Sequence, residues 1–229
     1  TKIIVRPNPL ALKLAMMFWE ETSLRSLEKF IQQIPHSLKT EVTDQLQNLR
    51  GAKNAKELVE KLWGIDGNFS TAEILNSSMG SQLFRSVVIV NPEATTRTLV
   101  NHYLNKPKEE LEKIKEGRQN LVWALEKLCF RQSVFYDAAR VLMCFAVAEN
   151  EFYYSNNATS YLKQLFSFQL AGTEVSYTDR IPVLRWALER QDPDFDKLCL
   201  EVCSHALNRN TNHRMLGAEN DGSATPLKD

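Results

Sequence analysis

The sequence has 229 residues, of which 43% are hydrophobic and 24% charged, a balance typical of globular proteins and not of disordered or fibrous ones. Lysine plus arginine number 28, as do aspartate plus glutamate, so no overall charge attracts nucleic acid or an anionic membrane. The longest apolar runs, such as Val87 to Val90, are far shorter than the roughly 20 residues that span a bilayer. We therefore expect a soluble protein, in which nucleic-acid binding would need a local basic patch.

Helical periodicity begins close to the N-terminus. Asn8 and Pro9 are a cap residue and a first-turn proline, and apolar residues follow them at helical spacing. Ser37 opens a second amphipathic helix, which Gly51 ends. Similar short helices are predicted for residues 55–63, 71–79, 82–90 and 92–104. Together these elements predict an N-terminal helical part over residues 1–105.

The apolar faces of the helices predicted over residues 106–209 are wider than those predicted over residues 1–105. The predicted helices are Gly117 to Cys129, Val134 to Ala148, Ala158 to Phe166, Val183 to Leu188 and Phe195 to Leu207. Leu125 and Leu142 lie at the centres of their stripes, so alanine there should cost about 2 to 5 kcal/mol. Short loops suit antiparallel neighbours, and the polar residues 210–229 are predicted to be a loop or tail.

These patterns predict an all-α fold. Because each helix is too short to be stable alone, we expect an irregular α-solenoid or HEAT-like stack of short antiparallel helix pairs. One continuous helical domain over residues 1–209 is the alternative to two parts. The chain starts at Thr1 without a secretory signal pattern, which favours a segment of a longer chain.

No residue set predicts catalysis, a cofactor or a metal. Gly217 to Ser223 has the glycine spacing of a phosphate-binding loop, but it lacks the lysine and the preceding strand. The four histidines, His36, His102, His205 and His213, have no nearby Ser/Asp or Cys/Asp arrangement that is recognisable from the sequence, although such a triad is assembled in space.

The cysteines favour burial over metal binding. Cys129, Cys144, Cys199 and Cys203 all occupy apolar helical positions, where cysteine behaves as a small buried hydrophobe. Cys199 and Cys203 therefore fit a buried pair better than a zinc site. Free buried cysteines suggest a cytoplasmic protein.

Two polar segments carry the remaining hypotheses. The charge run from Lys106 to Arg118 alternates in sign, which is typical of a solvated helix face with local ion pairs.

The segment 148–158 contains many acidic, aromatic and amide residues and lies between two apolar helices. Residues 155–157 can cap the following helix while the rings close the core. Alternatively the segment is a recognition surface, with a candidate partner surface of Tyr153, Tyr154, Asn156 and Asn157.

Several short stretches resemble helical regions of large bacterial STAND-type NTPases. They are Asn91–Ala94, Gly117–Leu128, Leu142–Asn150, Asn156–Thr159, Leu170–Glu174 and Arg214–Glu219, with Arg6–Leu12 similar to the entry into that region. In those proteins the region lies downstream of the P-loop ATPase module. The resemblance implies a sensor, regulatory or oligomerisation segment of a signalling or antiviral defence protein, with the ATPase residues outside this sequence.

The leading hypothesis is therefore a non-catalytic scaffold that recognises a protein partner or other domains of the same longer chain, and a homo-oligomer stays open. A free-standing helical enzyme with an unrecognised site and a nucleic-acid-binding helical repeat are the alternatives. Zero net charge and the absence of an arginine-rich or aromatic-interleaved motif argue against nucleic acid.

Overall fold

The computed structural model describes the backbone of residues 8–49, 51–169 and 171–208. Within these ranges the elements are thirteen α-helices and one short 3-10 helix, without a strand, which confirms the all-α prediction. None of the described helices is long and apolar enough to cross a bilayer. The chain divides into two compact units between Thr98 and Leu99. The stacking of helix pairs stays a prediction, and the predicted tail over 210–229 lies outside the described residues.

The first unit is built from short helices. They are α1 (Asn8–Glu21), α2 (Leu24–Gln33), α3 (His36–Leu46), a 3-10 turn (Gln47–Leu49), α4 (Lys53–Trp63), α5 (Ala72–Leu75), α6 (Ser78–Val87) and α7 (Pro92–Tyr103), within which the division falls. The segment predicted as one helix over 71–79 is broken, because the Ser77 side chain accepts a hydrogen bond from the Gly80 N–H and caps α6. A polar cap thus starts a new helix where apolar spacing alone predicts continuity.

The second unit contains α8 (Lys108–Glu112), α9 (Arg118–Phe130), α10 (Phe135–Val147), α11 (Ala158–Leu165), α12 (Tyr177–Glu189) and α13 (Pro193–Leu207). Helix α10 is apolar on nearly every side and packs against α8, α9, α11, α12 and α13. A helix that is hydrophobic all round belongs at the centre of a core. Leu125 of α9 and Leu142 of α10 are fully buried, as their positions in the stripes predicted.

The prediction that all four cysteines are buried is wrong for one of them. Cys129, Cys144 and Cys199 are buried, whereas Cys203 is exposed. On α13 the buried face is formed by Phe195, Leu198, Cys199 and Val202. Cys203 is one helical turn after Cys199, but it lies at the edge of this face, toward the side of the exposed Leu200 and Leu207. Cys199 and Cys203 are therefore not a buried pair.

Candidate recognition surface

The loop between α10 and α11 carries the most exposed aromatic side chains of the second unit. We call residues 148–157 the aromatic loop. Phe152, Tyr153 and Tyr154 follow one another there with exposed fractions of 79%, 76% and 42%. The ring centroids of Tyr153 and Tyr154 lie 4.5 Å apart, with the planes tilted by 48°. Clustered exposed rings on a loop are typical of interaction sites.

Arg118, the first residue of α9, is hydrogen-bonded to the start of the aromatic loop. Its side chain has no exposed surface. Nη2 donates to the carbonyl oxygens of Phe145 and Ala148, both at 2.7 Å, and Nη1 donates to the Leu111 carbonyl at 3.1 Å. The end of α10 is thereby joined to the end of α8. One side chain thus donates to carbonyl groups near the C-terminal ends of two helices, where intrahelical partners run out.

Glu149 pairs with Arg118 and supplies the opposite charge at the start of the aromatic loop. Its carboxylate is 3% exposed and lies 3.6 Å from Nη2 of Arg118. Oε1 accepts from the backbone N–H groups of Asn150 and Glu151, each at 3.0 Å, and Oε2 accepts from the Thr159 N–H at 3.3 Å. Burial lowers the pKa of Arg118, and the Glu149 carboxylate acts against that shift. The buried ion pair therefore fixes both ends of the aromatic loop.

The two asparagines predicted as surface residues are bonded into the fold instead. Asn157 is only 8% exposed. Its Oδ1 accepts from the Ser160 N–H at 2.9 Å and its Nδ2 donates to the Glu151 carbonyl at 3.2 Å. The half-buried Asn156 is hydrogen-bonded to the Tyr161 side chain. Asn157 is thus the predicted helix cap and does not offer a contact surface.

The structure separates the two roles predicted for the segment. The cap over residues 155–157 is confirmed at Asn157. The idea that the aromatic rings close the core is wrong, because Tyr153 and Tyr154 are exposed. Phe152 was not among the candidate residues, although it has the largest exposed fraction of the three. The exposed aromatic surface of the loop therefore consists of Phe152, Tyr153 and Tyr154.

Sequence reasoning also missed Arg118. The charge run that ends there was predicted to be solvated, and the Lys106–Glu110 ion pair at 2.9 Å agrees with this at its beginning. Leu111, Ile114 and Arg118, however, are buried. The run supplies both a solvated surface and the cation under the aromatic loop, and its alternating charges gave no signal of the second role.

A surface cleft of about 310 Å³ lies elsewhere in the second unit, between α8, α10, α12 and α13. Its charged lining residues are Lys106, Lys108, Glu109, Arg190, Asp192 and Asp194, three of each sign. Lys108 pairs with Asp194 at 2.6 Å. Cys144 also lines the cleft, but burial raises the pKa of its thiol to about 11. This cleft therefore presents neither a net charge nor an activated nucleophile.

The other sites weighed in the sequence receive no support from the described residues. Among them, no three histidine, cysteine, aspartate or glutamate side chains are placed to hold a metal ion. The glycine-spaced segment Gly217 to Ser223 and His213 lie outside the described part of the chain. His205 is half-buried on α13, and burial lowers its pKa.

No protein-family model, curated protein or solved structure matches this chain. The fold and the surface define an all-helical protein whose described residues present an aromatic loop with hydrogen bonds at both ends. The function is therefore argued from the chemistry of that loop.

Proposed function

We propose that this chain is a non-catalytic helical recognition segment, and that the aromatic loop contacts a protein partner or another domain of a longer chain. One observation carries the proposal. Three consecutive exposed aromatic residues stand on a loop whose two ends are fixed by the buried Arg118–Glu149 pair and the Asn157 cap. Rings that only filled space would be turned into the core.

The energetics of association favour such a loop. Binding is weakened when flexible segments must be ordered, and a loop already held by hydrogen bonds avoids much of that loss. Tyrosine is enriched among the residues that dominate binding energies, because it combines a large apolar area with few rotatable bonds. Burying the rings of Phe152 and Tyr153 would remove apolar surface from water, at roughly 25 cal/mol per Å².

The resemblance to helical regions of STAND-type NTPases supports a wider context for this surface. In that context the segment belongs to a larger bacterial NTPase and serves as its sensor, regulatory or oligomerisation part, in signalling or antiviral defence. The resemblance includes Leu142–Asn150 and Asn156–Thr159, which flank the exposed rings. A P-loop in the natural chain upstream of Thr1 would support this context, and a natural chain without one would contradict it.

Site-specific photo-crosslinking tests the surface directly. The natural full-length protein would carry the photoreactive residue p-benzoylphenylalanine in place of Tyr153 and be irradiated in its host cell. We expect a crosslink to another chain or to a distant segment of the same chain, identified by mass spectrometry, because the ring at this position is 76% exposed. The matched control places the same residue at Phe168, which is 61% exposed but stacks on Tyr177 at 4.7 Å.

A second arm separates recognition from folding. The double variant Phe152→Ala/Tyr153→Ala should weaken signalling of the full-length protein and leave its melting temperature nearly unchanged. Leu142→Ala serves as the comparison, because a cavity in the core should lower the melting temperature. Absence of a crosslink at position 153, or loss of activity only in proportion to early melting, would contradict the proposed function.

A further inference from the structure

The aromatic loop contains a carboxylate that the fold does not neutralise. Glu151 precedes Phe152 directly, and its backbone is fully engaged, since its N–H donates to Glu149 and its carbonyl accepts from Asn157. Its side chain is half-buried. Among the residues that the structure describes, this carboxylate has neither a hydrogen-bond donor nor an ion-pair partner. A partly buried carboxylate loses part of its hydration, which makes its charged form less favourable than that of a fully exposed group.

The nearest cation does not meet this need. Arg118 faces three carboxylates, Glu112, Glu149 and Glu151. Lys108, which pairs with Asp194, also faces Glu112, whereas Glu149 and Glu151 have the single positive charge of Arg118 between them. The guanidinium already serves three backbone carbonyls and Glu149. Burial raises the pKa of Glu151, Arg118 opposes that shift and Glu149 adds to it. The base of the aromatic loop is therefore electronegative.

The negative charge of Glu151 limits which kind of partner can bind over the aromatic rings of the loop. An uncharged apolar partner would remove water from Glu151 and leave its carboxylate unpaired, which opposes binding. A cationic side chain would pair with that carboxylate and also lie over the electron-rich faces of Tyr153 or Tyr154. Arginine suits both tasks better than lysine, because its planar guanidinium stacks on rings and binds carboxylates through two N–H groups.

We infer that the aromatic loop binds a protein segment that presents an arginine against Glu151 and Tyr153. The inference rests on the proposed function and specifies the chemistry of its partner. Phosphate groups of nucleic acid would meet the unpaired carboxylate of Glu151 and be repelled.

Labelled peptides of sequence Gly-Leu-X-Gly-Leu-X-Gly, with X as arginine, lysine, glutamine or glutamate, test the inference by fluorescence anisotropy. We expect the arginine peptide to bind about tenfold more tightly than the glutamine peptide, with lysine between them and glutamate weakest. Raising the salt from about 50 to 300 mM should narrow the difference. Glu151→Gln and Phe152→Ala/Tyr153→Ala should each abolish most of the preference for arginine.

Matched controls remove the same charge or ring elsewhere in the second unit. Glu189→Gln removes an exposed carboxylate of α12, and Phe168→Ala removes an exposed ring; both should bind like the unchanged chain. Equal binding of the arginine and glutamine peptides, no binding of the arginine peptide, or equal losses in Glu151→Gln and Glu189→Gln would overturn the inference. If position 153 crosslinks a segment without arginine or lysine, the inference fails while the proposed function stands. Absence of any crosslink instead removes the proposed function.

Discussion

At the scale of single residues, two buried arginines fix loops by donating hydrogen bonds to backbone carbonyl groups. Arg180 repeats the arrangement of Arg118, since its Nε donates to the Val175 carbonyl and its Nη1 donates to the carbonyls of Leu165 and Ser167. Arginine is almost never fully buried unless it is paired, and four of the six paired carbonyls are 13 or more residues away in sequence. Neither position could be predicted, because the partners exist only once the helices have packed.

Removing the Arg118 side chain should be among the most damaging substitutions. Arg118→Met keeps much of the volume but removes the donor to three carbonyl groups and the cation beside the buried Glu149 carboxylate. We expect a loss of about 3 to 5 kcal/mol in the free energy of unfolding, measured with urea. Arg25→Met on the exposed surface of α2 should change it by less than about 0.5 kcal/mol. If Arg118→Met and Arg25→Met both change the free energy of unfolding by similarly small amounts, the hydrogen bonds and the ion pair of Arg118 do not form as described.

Glu151 should make stability depend on pH in the direction opposite to most carboxylates. Burial raises its pKa in the folded chain, so the folded state holds the proton more tightly than the unfolded state. The contribution of this group to stability is therefore lost as pH rises from the unfolded pKa through the raised folded pKa. Glu151→Gln should become more stable than the unchanged chain across that window. A variant that is less stable at neutral pH would show that the carboxylate is paired after all.

At the scale of elements, predictability follows the width of the apolar stripe. Helices α9, α10, α11 and α13 were predicted within a few residues because many buried positions repeat along each of them. Helix α2 was missed. It buries only Leu27 and Ile31, and its start depends on Ser23, whose side chain accepts from the Ser26 N–H. A short helix with two buried residues leaves too little periodicity to detect.

The α5–α6 junction offers a test of close helix packing. A Cβ added at Gly80 would lie 2.1 Å from the Ile74 carbonyl oxygen, whereas one added at Gly51 would meet nothing within 4 Å. Gly80→Ala should therefore lower the free energy of unfolding by about 1 to 3 kcal/mol, because backbone must shift. Gly51→Ala should be neutral or slightly stabilising. Equal melting temperatures for the two variants would show that α5 and α6 are farther apart than described.

At the scale of the whole molecule, the sequence predicts which apolar residues are buried better than which polar loop residues are exposed. Apolar spacing placed Leu125 and Leu142 correctly in the core. Of the four candidate surface residues, Tyr153 and Tyr154 are exposed, while Asn157 is a cap and Asn156 bonds to Tyr161. An amide can serve as a cap or as a contact with the same local sequence around it. Only the packed helices decide between these roles.

The four cysteines provide a test that samples helices α9, α10 and α13 together. Cys129, Cys144 and Cys199 are buried and Cys203 is exposed. Burial raises the pKa of Cys144 and Cys199 to about 11, so at pH 8 only about one molecule in a thousand carries the reactive thiolate at each position. With Ellman's reagent we expect one fast thiol in the folded chain, which Cys203→Ser removes, and four after unfolding in guanidinium. A second fast thiol that survives in Cys203→Ser would mean that α9, α10 or α13 is not packed as described, because a thiolate forms and reacts readily only where water reaches the sulfur.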